Sequence, residues 1–430
     1  MCDCKTLLRA LRAGEYDDTL RPLYALDGTE ESLLRGRDRA IGVVELFEKT
    51  FAPVGAVTLF SAPGRTELGG NHTDHQHGCV LCGSVDADIL ACAAPNGTDT
   101  VRIVSEGFPQ VQIELTDLTV REEEQGTSAA LVRGVAARMR ELGCTPVGFD
   151  ACMRSDVLSG SGLSSSAAYE TLMGNIINHF GGRGQDAVAI AKVGQYAENV
   201  YFGKPCGLMD QMASSVGSAV AIDFADPAAP VVEKVAFDFS ACGHALCIID
   251  TVSDHADLTD DYAAITREMG AVADCFGKQV LREVDEEAFF AALPQVRSQC
   301  GDRAALRAMH FFAENRRAAQ EAQALKNGDF AAFLELVKAS GRSSAAMLQN
   351  IWSVSDPRKQ AVSLALALGE KLLDGRGAIR VHGGGFAGTI QAFVPDDMLG
   401  DFKAGMESVL GEGTCCVMHI RGVGGCVLIP

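Results

Sequence analysis

Nowhere in the 430 residues do eighteen apolar side chains run together, so the sequence predicts no membrane-spanning helix. Positive charge is scarce as well: 37 Lys and Arg stand against 56 Asp and Glu, a net charge of −19. Such a surface repels phosphate backbones and anionic lipid, which excludes nucleic acid and membranes as expected partners. The N-terminus lacks the apolar block and small-residue cleavage site of an export signal, and Leu7, Leu8 and Leu11 recur at helical spacing among charges. The expected location is cytoplasmic. Cysteine is not lacking, but the fifteen residues are scattered and odd in number, so they cannot all pair within one chain and reduced thiols are expected. Cys79 and Cys82 form a lone Cys-x-x-Cys with no second pair at zinc spacing.

The composition, 47% hydrophobic and 22% charged, is that of a soluble globular protein. The length exceeds a single hydrophobic core, and Asp226-Pro227 and Pro230 place the expected domain junction near residue 230, dividing 1–230 from 231–430. Residues 5 to about 52 read as helices that cover something. A strand at 57–60 is expected to break at Ala62-Pro63-Gly64-Arg65. Further strands are expected near 79–93, 101–115, 147–154, 218–224, 244–251, 377–382, 389–394 and 415–428. Helices are expected near 128–141, 165–180, 185–202, 259–277, 302–327 and 329–340, which together make a helix-covered sheet.

The stretch from Asp156 to Glu170 is the most informative. Gly160, Ser161 and Gly162 open a run containing Ser164, Ser165, Ser166, Ala167 and Ala168, the composition of a tight loop entering a helix. Glycine lets backbone N–H groups converge, the helix end supplies unpaired donors, and a phosphate fits there. The serine hydroxyls can donate to phosphate oxygens or bind magnesium. Both the Gly-Lys-Ser/Thr ending of a Walker loop and the Gly-x-Ser-x-Gly elbow of a hydrolase are missing. A Gly/Ser loop capping an ordinary helix has the same composition.

Three other stretches carry chemistry. Residues 64–78 gather Arg65, Asn71, His72, Asp74, His75 and His77 after a strand end, where polar groups converge on ligands; the histidines make an incomplete metal set. Residues 203–214 place Gly207 and Asp210 after a Pro/Gly turn in a mostly uncharged sequence, and a helix-capping aspartate is the alternative reading. Residues 381–392 interrupt a strand with four glycines, as a plain turn would or as a backbone approaching something closely would.

In this order, Gly64 to Asp74, Gly160 to Ala168, Cys206 to Gln211 and Gly383 to Gly388 resemble the motifs of the GHMP small-molecule kinases, and within them the galactokinase branch. The resemblance implies an α/β (α+β) fold of two domains, ribosomal-S5-like at the N-terminus and ferredoxin-like at the C-terminus, with ATP, Mg²⁺ and a small-molecule sugar in the cleft between them. It implies phosphoryl transfer to the anomeric hydroxyl of a sugar, with galactose expected and galacturonate or a non-catalytic sugar and ATP sensor as alternatives. By the same resemblance Asp210 is the base and Arg65 its partner, and Ser165 and Glu198 hold magnesium. Gly160, Ser161, Gly162, Ser164, Ser165 and Ser166 cradle the nucleotide phosphates. Asn71, His72, Asp74, Gly207 and Tyr262 contact the sugar. Two departures stand out: Asn71 occupies the place of the family's Glu, and His75 that of its Tyr. A neutral amide beside C6 suits galactose and also a carboxylate-bearing sugar, but no cation other than Arg65 lies between Gly64 and Gly78, which favours galactose. A monomer is favoured.

Overall fold

The computed structural model describes residues 2–51, 55–157, 162–182, 184–253 and 258–430. Twelve strands in the described residues form two sheets. The first eight are β1 (Thr58–Gly69), β2 (Cys79–Pro95), β3 (Thr100–Ser105), β4 (Val111–Glu114), β5 (Phe149–Ser155), β6 (Ala219–Asp223), β7 (Val231–Val235) and β8 (His244–Asp250). They are followed by β9 (Ala378–Val381), β10 (Thr389–Pro395), β11 (Cys415–Met418) and β12 (Cys426–Ile429).

The larger sheet runs β12-β1-β2-β5-β3-β4, and β2 is long enough to pair β5 with its second half and β6 with its first; β7 continues from β6. Pairing is antiparallel except between β3 and β5. Side chains alternate between its faces. Leu59, Leu90, Cys92, Cys152 and Leu428 pack against the N-terminal helices Cys4–Arg12, Asp17–Tyr24 and Glu30–Phe51. Phe60, Ala91, Ala93, Ala151 and Met153 face the opposite way, onto helices Ser128–Glu141 and Ser165–Gly181. The N-terminal helices therefore cover one face of this sheet. Thr127 and Asp186 cap the helices that follow them, contacts of about 1 kcal/mol each.

The smaller sheet runs β11-β8-β10-β9 and is antiparallel throughout. Numbered within this sheet, the order is 4-1-3-2 with helices between the first and second strands and between the third and fourth, the ferredoxin-like pattern. The chain is thus a two-domain α/β protein. No helix among the described residues is long and apolar enough to cross a membrane.

Four expectations about the elements need correction. β1 does not break at Pro63-Gly64; it passes through a register shift there and resumes at Arg65, opposite Ser84. The expected strand at 415–428 is two strands in different sheets, so the end of the chain returns to pair with β1. The first sheet also extends past residue 230, because β7 pairs along the whole of β6 and the second sheet opens only at His244. Helices Glu286–Ala291, Leu293–Cys300, Ala361–Leu373 and Leu399–Leu410 were not anticipated.

Candidate active site

The register shift in β1 aims Arg65, a buried residue, across the molecule toward the helix Met209–Val216. Its guanidinium forks onto Asp210, with Nε donating to Oδ1 at 2.6 Å and Nη2 donating to Oδ2 at 2.9 Å. The remaining nitrogen, Nη1, donates to the carbonyl of Gly162. Ser164 Oγ donates to Asp210 Oδ2. Asp210 does not act as a cap, since its carboxylate is taken by these donors and the N-cap position of the helix Met209–Val216 is Leu208, which makes no side-chain cap. Burial works against its charge, but the adjacent guanidinium and the hydrogen bonds from Arg65 and Ser164 outweigh it and hold the carboxyl below its ordinary value.

Ser164 precedes the helix Ser165–Gly181 in a left-handed conformation (φ 55°) and makes no side-chain cap to it. Its hydroxyl serves Asp210 instead, so the first turn keeps backbone donors and the positive end of the helix dipole for an anion. Gly162 is also left-handed (φ 71°), and a Cβ there would collide with Thr389 Oγ1. The close approach of the two glycine-bearing motifs thus requires glycine. Gly160 and Ser161 lie outside the described residues.

Asp74 occupies a short 3-10 turn, Asp74–Gln76, where its Oδ1 accepts the His75 N–H at 2.9 Å. Burial first, then the charge of Asp210, push its carboxyl up to about 6. Gly207 lies against it so closely that a Cβ would strike the carboxylate. His75 Nε2 is buried without a hydrogen-bond partner among the described residues, and burial followed by the neighbouring His72 drives the ring down to about 3, leaving it neutral.

The glycine turn after β9 grips this loop through two successive carbonyls and holds the helix Thr259–Asp274 through the next. Gly383 O accepts from Asn71 Nδ2 (2.7 Å), Gly384 O pairs with His72 Nε2 (2.9 Å), and Gly385 O accepts from the Tyr262 hydroxyl (2.7 Å). These contacts alter the expected role of Asn71. The residue is fully buried. Its Nδ2 donates to Glu67 Oε1 (3.0 Å) and Gly383, while its Oδ1 accepts from Asn350 Nδ2 (2.9 Å) and Ser344 Oγ (3.2 Å). All four hydrogen-bonding positions of the amide are used within the protein. Asn71 therefore holds the loop rather than presenting its amide to a ligand. His72 and Tyr262 likewise spend a polar atom on the turn.

Glu198 sits in a π-helical turn, Ala197–Phe202, which continues the helix Ala187–Tyr196. Its carboxylate is buried, with Oε1 accepting from Ser166 Oγ (3.2 Å) and Lys204 Nζ (3.4 Å) and Oε2 accepting from Gln211 Nε2 (2.9 Å). The hydroxyl that hydrogen-bonds Glu198 is that of Ser166, the neighbour of the expected magnesium ligand Ser165. The hard oxygens of this carboxylate suit a divalent cation such as magnesium, which would have to displace the Lys204 ammonium from Oε1.

Several supporting residues escaped the sequence reading. Gln211 bridges Glu198 to Glu170, its Nε2 also donating to Glu170 Oε2 at 3.0 Å. Glu170 is fully buried, and burial with the charge of Glu198 raises its carboxyl well above the ordinary value. Glu67, beside Asn71, forms a buried ion pair with Arg380 of β9, Nη2 to Oε1 at 3.0 Å, whose rupture would cost about 3–5 kcal/mol. Gln211 stands inside a motif already singled out, but nothing local in the sequence pairs Glu67 with a residue more than three hundred positions away.

Two family models match the chain. One describes the N-terminal domain of GHMP kinases and matches residues 130–218; the other describes the galactokinase galactose-binding signature and matches residues 45–95. Among solved structures, a galactokinase from Lactococcus lactis in complex with galactose is 24% identical, with a TM-score of 0.76 over 89% of this chain and 98% of that one. The Methanococcus jannaschii mevalonate kinase is 14% identical, with a TM-score of 0.60 over 86% of this chain and 99% of that one. The Streptococcus pneumoniae phosphomevalonate kinase is 11% identical, with a TM-score of 0.58 over 84% and 98%. At these identities the structures share the fold, while the matched models cover the loop at 70–78 and the helix Ser165–Gly181. Residues 45–95 and 130–218 thus resemble the galactokinase galactose-binding signature and the GHMP kinase N-terminal domain, on a fold shared with the kinases named above.

Proposed function

We propose that the protein transfers the terminal phosphoryl group of ATP to the anomeric hydroxyl of galactose, giving galactose 1-phosphate and ADP. The observation that carries this reading is the Arg65–Asp210 fork with Ser164 on the same carboxylate, at the end of a loop and helix suited to phosphate. Phosphoryl transfer needs positioning, charge neutralisation and a base for one proton. Asp210, kept ionised by Arg65, is that base, and it takes the proton from the sugar hydroxyl as the oxygen attacks. Arg65 orients the carboxylate and offers positive charge to the moving phosphoryl group. Ser164, Ser165, Ser166 and Gly162, with Gly160 and Ser161, hold the phosphates. Glu198 with Ser166 or Ser165 would hold Mg²⁺, which when bound neutralises phosphate charge. Asp74 and Gly207 face the sugar, and the unpartnered Nε2 of His75 is a further polar atom beside them. His72 and Asn71 shape that pocket by fixing its loop to the glycine turn, and Tyr262 ties the helix Thr259–Asp274 to the same turn.

Galactose is favoured over galacturonate because the galactose-binding signature matches residues 45–95 and the loop brings no cation beyond Arg65. With its amide consumed internally, Asn71 does not argue for either sugar. Intact Arg65, Asp210 and serine-helix residues support turnover over passive sensing. The test is ADP release with Mg-ATP over a panel of galactose, galacturonate, N-acetylgalactosamine and arabinose. Galactose is expected to lead; galacturonate in first place would replace the substrate, and bound sugar without ADP release would make the protein a sensor.

A further inference from the structure

All fifteen cysteines are free thiols; Cys4 neighbours Cys92, Cys247 neighbours Cys415 and Cys275 neighbours Cys300, and of these three pairs the first two are buried and the last is partly exposed. Cys275, just past the helix Thr259–Asp274, and Cys300, the last residue of the helix Leu293–Cys300, hold their sulfur atoms 3.4 Å apart. Both thiols also face the carbonyl of Ala271, at 3.3 and 3.4 Å. The shared acceptor fixes both side chains toward one point, and each residue is only half-buried, within reach of a small reagent. Closing the gap to a bond of about 2.05 Å needs a shift of little more than an ångström.

The segment between them is not a passive loop. Leu281 N–H donates to Gln76 Oε1 at 2.9 Å, inside the loop that carries Asp74. Arg282 spans to Asp223 Oδ2 of β6 (2.8 Å) and to Asn315 Oδ1 (3.0 Å), and Asn315 Oδ1 accepts the N–H of Cys79 at the start of β2 (2.7 Å). Residues 275–300 thus brace the far side of the loop at 70–78.

We propose that Cys275 and Cys300 are a reversible disulfide site, and that the bond ties both ends of the segment bracing the loop at 70–78. The oxidant is a low-molecular-weight disulfide. One cysteine thiolate attacks a sulfur of the reagent and expels one thiolate; the other cysteine thiolate attacks the mixed disulfide and expels the second. Two cysteine thiols are oxidised, one reagent disulfide is reduced to two thiols, and the protons pass to the expelled thiolates. Burial, then Cys275 and Asp274, push the Cys300 thiol up to about 11, so the exchange is slow at neutral pH and faster under alkaline conditions.

The test treats the full chain with oxidised glutathione at pH 8.5, alkylates remaining thiols under denaturing conditions, and maps tryptic peptides by mass spectrometry. The expected product links residues 268–278 to residues 298–303, two hydrogens lighter than the sum of the free peptides and released by dithiothreitol. Cys275→Ser and Cys300→Ser should each abolish it. Amide exchange at residues 70–78 should be several-fold slower in the oxidised wild type and unchanged in both variants. Recovery of both peptides singly alkylated, or carrying only glutathione, would overturn the site; a cross-link without slower exchange would overturn its coupling to the loop.

Discussion

Arg65 and Asp210, 145 positions apart, meet through two parallel hydrogen bonds of 2.6 and 2.9 Å, and the same carboxylate accepts from Ser164, just before the helix Ser165–Gly181. One group from a strand and one from a loop end converge on a carboxylate at a helix start. A fork of this kind fixes orientation as well as charge.

Asp210→Asn should lower kcat by about 10²–10⁴-fold while changing sugar affinity little, because the lost group acts on the reacting proton. Arg65→Lys keeps the charge but loses the fork, and should also lower kcat far more than it weakens sugar binding. Steady-state kinetics with calorimetric sugar binding checks both. Near-normal kcat in Asp210→Asn would leave the residue a structural partner of Arg65.

On the proposed function, Asp74 should set the acidic side of the pH response. Its carboxyl is raised to about 6 whereas that of Asp210 is lowered, so kcat/KM should fall below about pH 6 and Asp74→Asn should lose that limb. The sign for stability is opposite. A carboxyl raised in the fold retains its proton while the unfolded chain, titrating near 4, loses it, so stability declines from about pH 4 to pH 6 and stays lower above. Asp74→Asn should therefore melt about 2–5 °C above wild type at pH 8 and level with it at pH 4. Calorimetric scans at both values decide.

Glu321 is fully buried beneath Gly69, with neither carboxylate oxygen hydrogen-bonded among the described residues. Burial raises its carboxyl to about 8 against the pull of Arg380 and Arg317. The advantage of Glu321→Gln in thermal midpoint should grow from about pH 4 to pH 8 and then level off. A constant difference across that range would mean that the group titrates as it does in the unfolded chain.

Loss of Glu198 should raise the Mg²⁺ needed for half-maximal rate by about tenfold or more, and Mn²⁺ binding followed by electron paramagnetic resonance should weaken in parallel. Ser166→Ala is expected to have the larger effect of the two serine variants, since Ser166 is the one that reaches Glu198. A larger loss in Ser165→Ala would restore the original assignment.

Local signals were readable from the sequence, and long-range ones were not. The helix at 128–141 was legible in its apolar spacing, and the glycine motifs in their composition. Pro63-Gly64 looked like the end of a strand because the sequence cannot display the partner strand that absorbs the irregularity. Asn71 looked like a ligand contact because its loop is polar. Its true partners, Glu67, Gly383, Ser344 and Asn350, include three from the C-terminal half, and no local pattern marks them. The last strand, β12, returns to the first sheet for the same reason: pairing with β1 is a tertiary choice.

The most direct measurement is the ³¹P spectrum of the product formed from galactose, Mg-ATP and the full-length protein. A single new phosphomonoester coupled to the anomeric proton, absent with Asp210→Asn, is the predicted result. Phosphate on another carbon, or no new phosphoester while galactose and ATP both bind, would contradict the assignment of Asp210 as base for the anomeric hydroxyl.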